Sequence, residues 1–288
     1  MAEKIKKYGF KQGLPQEFEI VDVTQLYNAF ETDLTRPHRT AFFHIIWFQK
    51  GPAKHLVDFN PVDVAENIII FLSPNVVQCF DRKANVKAKA ILFTEDFFSQ
   101  TTADTKHLRS SILFNDLLTV PAVYLEDKAD LFETLFSLME TEYNKVNDPF
   151  QALILRNYLR TFMLEAERLR RKQNFTEVKK GPNLDFVIQF KNLLENHFKS
   201  EKTVSYYAKA LNITEKRLNQ AVSKILGLSP KQLIDERIML EAKRLLAHTN
   251  ESVKEIAFEL GFEEPTNFVK YFKKHYPSTP VQFRVAVQ

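Results

Sequence analysis

One cysteine and six glycines stand in a chain of 288 residues, and each scarcity removes a class of function. A lone thiol, Cys79, cannot close an intrachain disulfide. With no export signal in view, the expected compartment is the reducing cytoplasm. So few glycines leave little room for phosphate-cradling loops, and no P-loop, G-x-G-x-x-G, G-x-S-x-G or H-E-x-x-H pattern occurs. The chain therefore reads as a non-enzyme that needs no cofactor. No apolar run reaches the roughly 18 residues of a membrane span; "IIIFLSPNVV" is broken by Ser73 and Pro74. The opening "MAEKIKKYGFKQGLP" is basic but has no apolar stretch of the signal-peptide kind.

What is present is the stuff of a packed core. The composition is 44% hydrophobic and 26% charged, with 26 phenylalanines. A chain this long has room for two domains. The net charge of +4 is unevenly placed: residues 1–182 balance 24 cations against 24 anions, whereas residues 183–288 hold 16 against 12. An anionic partner therefore belongs to the last third.

Residues 17 to about 100 read as strands. "RTAFFHIIWF", "KHLVDF", "NIIIFL", "VVQCF" and "AKAILF" are β-branched and aromatic runs separated by Gly51-Pro52, Asn60-Pro61, Ser73-Pro74-Asn75 and Asp81-Arg82. Several are apolar on both faces, as in packed sheets or a small barrel. From about Glu126 the period becomes helical, with Leu131, Leu135 and Leu138 marking one face. Ala152, Leu155, Leu159, Phe162, Ala166 and Leu169 form a second seam. That seam packs either on its own domain or on a second copy of the chain. "RRKQNFTEVKKGPN", residues 170–183, interrupts the pattern and reads as a linker.

The last hundred residues contain a repeat. "VSYYAKALNITEKRLNQAVSKILGLSP" aligns with "VKEIAFELGFEEPTNFVKYFKKHYPSTP" at an offset of 49, which becomes 50 after one extra residue in the second turn. Each copy predicts two helices joined by a tight turn. Ala208 and Ala257 are small enough to let the helices cross. Asn212 and Gly261 are types that accept positive φ, and Ile213 and Phe262 follow as core plugs. Thr214 is the expected N-cap of one second helix, without a capping box because Arg217 stands where Glu would. Pro265 suits the first turn of the other.

These residues carry a family resemblance. "MLEAKRLLAHTNESVKEIAFELGFEEPTNFVKYFKKHYPSTPVQFR", residues 239–284, resembles the DNA-binding signature of AraC-type (AraC/XylS) bacterial transcription regulators, and residues 204–237 fit the family's first helix-turn-helix. "PHRTAFFHIIWFQKG", residues 37–51, is similar to a barrel opening seen in many members. The resemblance implies an α+β multidomain protein. Residues 1–120 would be an all-β cupin-like barrel, 121–173 a helical dimerisation segment and 174–183 the linker. Residues 184–288 would be an all-α tandem helix-turn-helix domain of seven helices.

It further implies a sequence-specific regulator, an activator by expectation, whose second helices enter successive major grooves about 34 Å apart. Lys216, Arg217, Asn219 and Gln220 would face DNA in the first motif, and Thr266, Asn267, Lys270 and Lys273 in the second. Asn and Gln suit adenine edges, and Lys and Arg suit guanine or phosphate. The implied partners are double-stranded promoter DNA, a second copy of the chain, RNA polymerase for an activator, and a small-molecule effector in the barrel. No membrane partner is implied.

Two departures stand out. Pro277 replaces the glycine usual after the second motif, although Gly227 fills that place in the first, so the final turn is expected to differ. Residues 76–78 read Val-Val-Gln where relatives often carry Gln-Val-His, and His38, His44 and His55 are scattered rather than set as His-x-His, so no metal site is expected. Alternation puts His44 opposite Trp47, and Cys79 reads as a small core residue. Two other function classes stay in view. A cupin-type enzyme would need a metal or a clustered polar pocket, and a protein-interaction module would touch no DNA.

Overall fold

The computed structural model describes residues 5–51, 53–81, 87–114, 120–173 and 181–287. Most of the expected linker, 174–180, and the turn residues Pro52 and Arg82 lie outside that set. The chain divides into two compact units, Lys6–Thr176 and Glu177–Gln288, the latter grouped with Met1–Ile5.

The first unit holds two five-stranded sheets. Its strands are β1 (Lys6–Tyr8), β2 (Phe18–Asp22), β3 (His38–Thr40), β4 (Phe43–Lys50), β5 (Ala53–Val57), β6 (Asn60–Val64), β7 (Ile68–Leu72), β8 (Gln78–Phe80), β9 (Lys87–Phe93) and β10 (Ala122–Tyr124). One sheet runs β1-β3-β8-β5-β6 and the other β10-β7-β4-β9-β2. The single run "RTAFFHIIWF" is thus two strands in different sheets, turned at Ala41 and Phe42.

Alternation along β4 explains the layering. Ile46 and Phe48 join Val57, Phe80, Ile68 and Ile70 in the core between the sheets. Phe43, Ile45 and Trp47 point the other way, into a core shared with helices α4 (Ala129–Tyr143) and α5 (Gln151–Lys172). A sheet covered on both faces needs apolar side chains throughout, and all five residues of β7 are buried.

Among the described residues three α-helices precede α4: α1 (Val23–Leu34), α2 (Glu95–Phe98) and α3 (Thr102–Ser110). The strand reading missed α1. Asp22 caps it by accepting from the Gln25 N–H at 3.0 Å, and Val23, Tyr27 and Leu34 pack on the inter-sheet core. That apolar stripe is narrow, and Phe30 is exposed at a break in the helical geometry, so the period was weak.

The helical faces need one correction. In α4, Leu135 is buried with Phe132, Phe136 and Met139, but Leu131 and Leu138 are 40% and 41% exposed. The phenylalanines displaced the leucines from the core. In α5 the expected seam is right in phase, and Leu155, Leu159, Phe162, Ala166 and Leu169 are buried against the unit's own sheet and α4. It therefore packs on its own domain, not on a second copy. Cys79 is also corrected. It lies on the outer face of β8, half-buried, while Gln78 and Phe80 face inward.

His38, His44 and His55, far apart in sequence, converge between the sheets. All three are buried. His55 Nε2 lies 2.9 Å from Gln78 Oε1, and His44 Nδ1 lies 3.4 Å from Thr40 Oγ1. Desolvation lowers all three proton affinities, to about 3 for His44 and about 4 for His55, and repulsion from neighbouring histidines adds to it for His44 and His55. Among the described residues no group of three His, Cys, Asp or Glu is placed to hold a metal ion.

The unfolded chain therefore takes up protons near pH 6.5 while the folded unit does not. Stability is full above that pH and drains as pH falls toward 4, by up to about 1.4 kcal/mol per pH unit for each histidine. Denaturant titrations followed by the fluorescence of buried Trp47 should show a falling midpoint between pH 7 and 5. The His55→Gln variant should flatten that slope.

Candidate nucleic-acid interface

Seven helices make up the second unit among the described residues. They are α6 (Pro182–His197), α7 (Val204–Ala210), α8 (Glu215–Leu226), α9 (Pro230–His248), α10 (Val253–Glu259), α11 (Pro265–His275) and α12 (Pro280–Val287). Pro182 opens α6, so the helix begins inside the last two positions of the expected linker.

The two motifs, α7–α8 and α10–α11, turn by the same hydrogen bonds 49 residues apart. Ile213 N–H donates to Ala208 O at 3.0 Å, and Phe262 N–H to Ala257 O at 2.9 Å. Asn212 N–H donates to Lys209 O, and Gly261 N–H to Phe258 O. The left-handed residue is Asn212 (φ 55°) in one and Gly261 (φ 71°) in the other. Ala208 and Ala257 are buried at the crossings, while Ile213 and Phe262 are half-buried plugs. The Phe262 ring rests 5.4 Å from Phe268 and 5.2 Å from Tyr271.

Thr214 caps α8 by accepting from the Arg217 N–H at 3.1 Å, with no capping box. Pro265 opens α11. The exits differ, as Pro277 foreshadows. Gly227 ends α8 in the left-handed region (φ 69°), but Tyr276 ends α11 in extended geometry (φ −142°).

Each second helix buries one stripe and exposes the other. Leu218, Ala221 and Val222 are the inner face of α8, and Phe268 and Phe272 that of α11. Lys216, Asn219 and Gln220 are exposed on α8, and Thr266, Asn267, Lys270 and Lys273 on α11. Ser223 and Lys224 complete the first stripe and Lys274 the second. The offset of 50 pairs Ser223 with Lys273 and Lys224 with Lys274, a signal that would have brought Ser223 and Lys224 into the candidate set. Among the described residues, Lys216, Gln220, Lys224, Lys270, Lys273 and Lys274 have no hydrogen-bond or ion-pair partner. Asn219 donates one amide N–H to Glu215 O of its own helix at 2.9 Å.

Arg217 departs from this stripe. Its Nη1 donates to Asn183 Oδ1 at 2.5 Å, and its guanidinium lies 5.0 Å from the centre of the Phe186 ring. It braces α8 against α6.

The charges of "EAKRLL" and "FR" are also structural. Glu241, 1% exposed, accepts from Arg244 at 3.0 Å and Arg237 at 3.3 Å. Arg237 also grips Glu195 of α6 at 2.8 and 2.9 Å. Arg284 of α12 donates to the Leu246 and Glu251 carbonyls at 3.1 and 2.6 Å. Asp235 of α9 accepts from the Tyr271 hydroxyl of α11 at 2.6 Å, and that carboxylate and burial together push the phenol upward. Thus α9 is tied to α6, α11 and α12.

This is a tandem helix-turn-helix unit that follows a β-rich unit in the chain, and the comparisons agree with that class. A family model described as a helix-turn-helix domain matches residues 207–286, and one described as an AraC-like ligand binding domain matches residues 21–159. The chain belongs to the AraC-type family of transcription regulators.

It is 34% identical over 94 residues to the uncharacterized HTH-type transcriptional regulator YisR of Bacillus subtilis, an alignment covering 33% of each chain. It is 22% identical over 254 residues to the HTH-type transcriptional activator RhaS of Enterobacter sp., covering 86% of each. The lactose operon transcription activator of Staphylococcus xylosus matches at 31% over 93 residues, a third of its length. Among solved structures, ToxT from Vibrio cholerae aligns at 12% identity and a TM-score of 0.42, covering 100% of this chain and 98% of that one.

The two turn glycines make a controlled pair. Gly227 and Gly261 share a positive φ, but a Cβ at Gly227 meets nothing within 4 Å, whereas at Gly261 it falls 2.0 Å from the Lys199 carbonyl oxygen. Gly227→Ala should cost about 1 kcal/mol from backbone strain alone. Gly261→Ala should cost clearly more, read as the difference in urea midpoints of the two variants by far-UV circular dichroism.

Proposed function

We propose that the chain is a sequence-specific transcription activator that reads two successive major grooves of promoter DNA with α8 and α11. The observation that carries this reading is the pair of identically hydrogen-bonded turns, each presenting an exposed stripe of polar and basic side chains whose lysines have no partner among the described residues. Helix α9, with 19 residues, spans about 28 Å, comparable with the roughly 34 Å rise of one duplex turn.

With Arg217 turned inward, base reading falls to Gln220, Asn219, Thr266 and Asn267, whose amides and hydroxyls can pair with base edges. Lys216, Lys224, Lys270, Lys273 and Lys274 supply the counterion-releasing contacts to phosphate. The protein acts in the cytoplasm, as a homodimer, and recruits RNA polymerase.

We read the chain as a regulator and not a barrel enzyme, in keeping with the transcription regulators it resembles. Its effector is a small molecule held between the sheets, where His55 Nδ1 is buried without a hydrogen-bond partner among the described residues. The imidazoles of His38, His44 and His55, with Gln78 and Thr40, give that space neutral donors and acceptors. The exposed Leu131, Leu138, Leu153 and Leu164 of α4 and α5 are the surface we assign to the second copy.

The test is binding to a duplex selected from a random pool, compared with an unrelated duplex across salt concentrations. Gln220→Ala should weaken selected binding by about 1–3 kcal/mol and leave unrelated binding unchanged. Lys273→Ala should weaken both and reduce the salt slope by about one. Equal losses for Gln220→Ala on both duplexes would remove its base-reading role.

A further inference from the structure

The two motifs are joined by more than α9. The stretch that leads into α7 folds across onto the turn of the other motif, 60 residues later. Lys199 Nζ pairs with Glu259 of α10 at 2.8 Å, and the Lys199 carbonyl oxygen occupies the space that a side chain on Gly261 would need. Lys202, one residue before the Thr203 N-cap of α7, sends its ammonium the same way. Its Nζ donates to Lys199 O at 2.7 Å and to Gly261 O at 2.8 Å, and lies 4.9 Å from the centre of the Phe262 ring. The Lys202 carbonyl in turn accepts from Lys231 Nζ at 3.3 Å, and Lys231 pairs with Asp235, the acceptor of Tyr271 on α11.

A lysine in a DNA-binding unit is ordinarily read as a phosphate contact. This one is committed elsewhere. Two of its three N–H donors are on backbone carbonyls and its charge rests on an aromatic face, an arrangement strengthened where water is partly excluded. One carbonyl belongs to the lead-in of the first motif and the other to the turn of the second. The ammonium is therefore a cross-brace between the two readers, and partial burial lowers its proton affinity.

We propose that Lys202 is a positioning residue that fixes the first helix-turn-helix against the second, so that the protein measures the spacing between two DNA boxes by its own rigidity. The inference rests on the tandem-reader function argued above. Inserting one base pair between the boxes moves the second by about 3.4 Å and rotates it by about 35°. A braced pair of readers cannot follow that displacement, but a loosened pair can. Loss of the brace should therefore change spacing tolerance more than affinity for either box alone.

The experiment uses the full chain and a duplex selected by the wild-type protein from a random pool. It also uses that duplex with one base pair inserted or deleted between the boxes, and single-box duplexes. Wild type should lose roughly tenfold or more in affinity on the altered spacings, the size expected when one reader's base contacts are lost. Lys202→Met, which keeps the aliphatic stem and removes the donors, should reduce that penalty to about threefold or less while single-box affinity stays within twofold of wild type.

Should that variant not fold by circular dichroism, Lys202→Leu, which likewise removes the donors and keeps an apolar stem, carries the same expectation. An unchanged spacing penalty, or equal losses on single-box and two-box duplexes, would overturn the positioning role and make Lys202 a general stabiliser or phosphate contact. Failure of the wild-type chain to select any duplex would sink the tandem-reader function itself, a separate outcome.

Discussion

The arrangement of the C-terminal unit depends on how closely the Lys199 carbonyl approaches the turn at Gly261. A Cβ there would stand 2.0 Å from that oxygen, well inside contact distance, and the backbone is already in the left-handed region. Glycine answers both demands at once. At the equivalent turn of the first motif, Asn212 meets only the conformational demand; it is exposed and keeps a side chain. The repeat is symmetric in its hydrogen bonds and asymmetric in its packing. The lead-in of the first motif lies on the turn of the second, and this makes α7, α8, α10 and α11 one body around α9.

A division of labour between the two basic residue types follows. All four arginines of residues 183–288 are turned inward: Arg217 on Asn183 and Phe186, Arg237 on Glu195 and Glu241, Arg244 on Glu241, and Arg284 on two carbonyls. A planar fork with five donors can satisfy several fixed acceptors together, which suits bracing. The lysines of the α8 and α11 stripes stay exposed as hydrated point charges, which suits a phosphate backbone of variable detail. The modest charge excess of this region understates its surface, because its arginines and several carboxylates are consumed internally.

Much of this unit was legible beforehand because helix-turn-helix geometry constrains residue types locally. A small residue, a positive-φ residue and a plug at fixed spacing can be read without knowing any distant contact, and the repeat supplied a second copy as a check. The contacts of Arg217 were not legible, for the opposite reason. Its partners Asn183 and Phe186 lie more than thirty residues away, and a solvent-side helical position says nothing about a guanidinium reaching back. In the β-rich unit the strands showed through their apolar runs. Helix α1 did not, since a stripe of Val23, Tyr27 and Leu34 is too narrow to set a period. The leucines of α4 misled because phenylalanines at neighbouring positions filled the larger space in the core.

The histidines make the same point about non-local pairing and carry it toward function. His38 pairs in register with Gln78, and Gln78 sits two residues before Phe80, the register partner of His55. Three strands distant in sequence thus bring two imidazoles and an amide side by side, with His44 added from the facing sheet. An apolar core between two sheets has no need of such groups, and burying them lowers stability in acid. Their depressed proton affinities keep them uncharged at neutral pH. An effector seated there would meet neutral hydrogen-bonding groups and the aromatic faces of Phe48 and Phe80, not a fixed ionic partner. Recognition of such an effector and the proposed recognition of DNA would then rest on opposite physics. One would exclude charge and rely on shape and oriented hydrogen bonds, and the other would display unpaired charge to a polyanion.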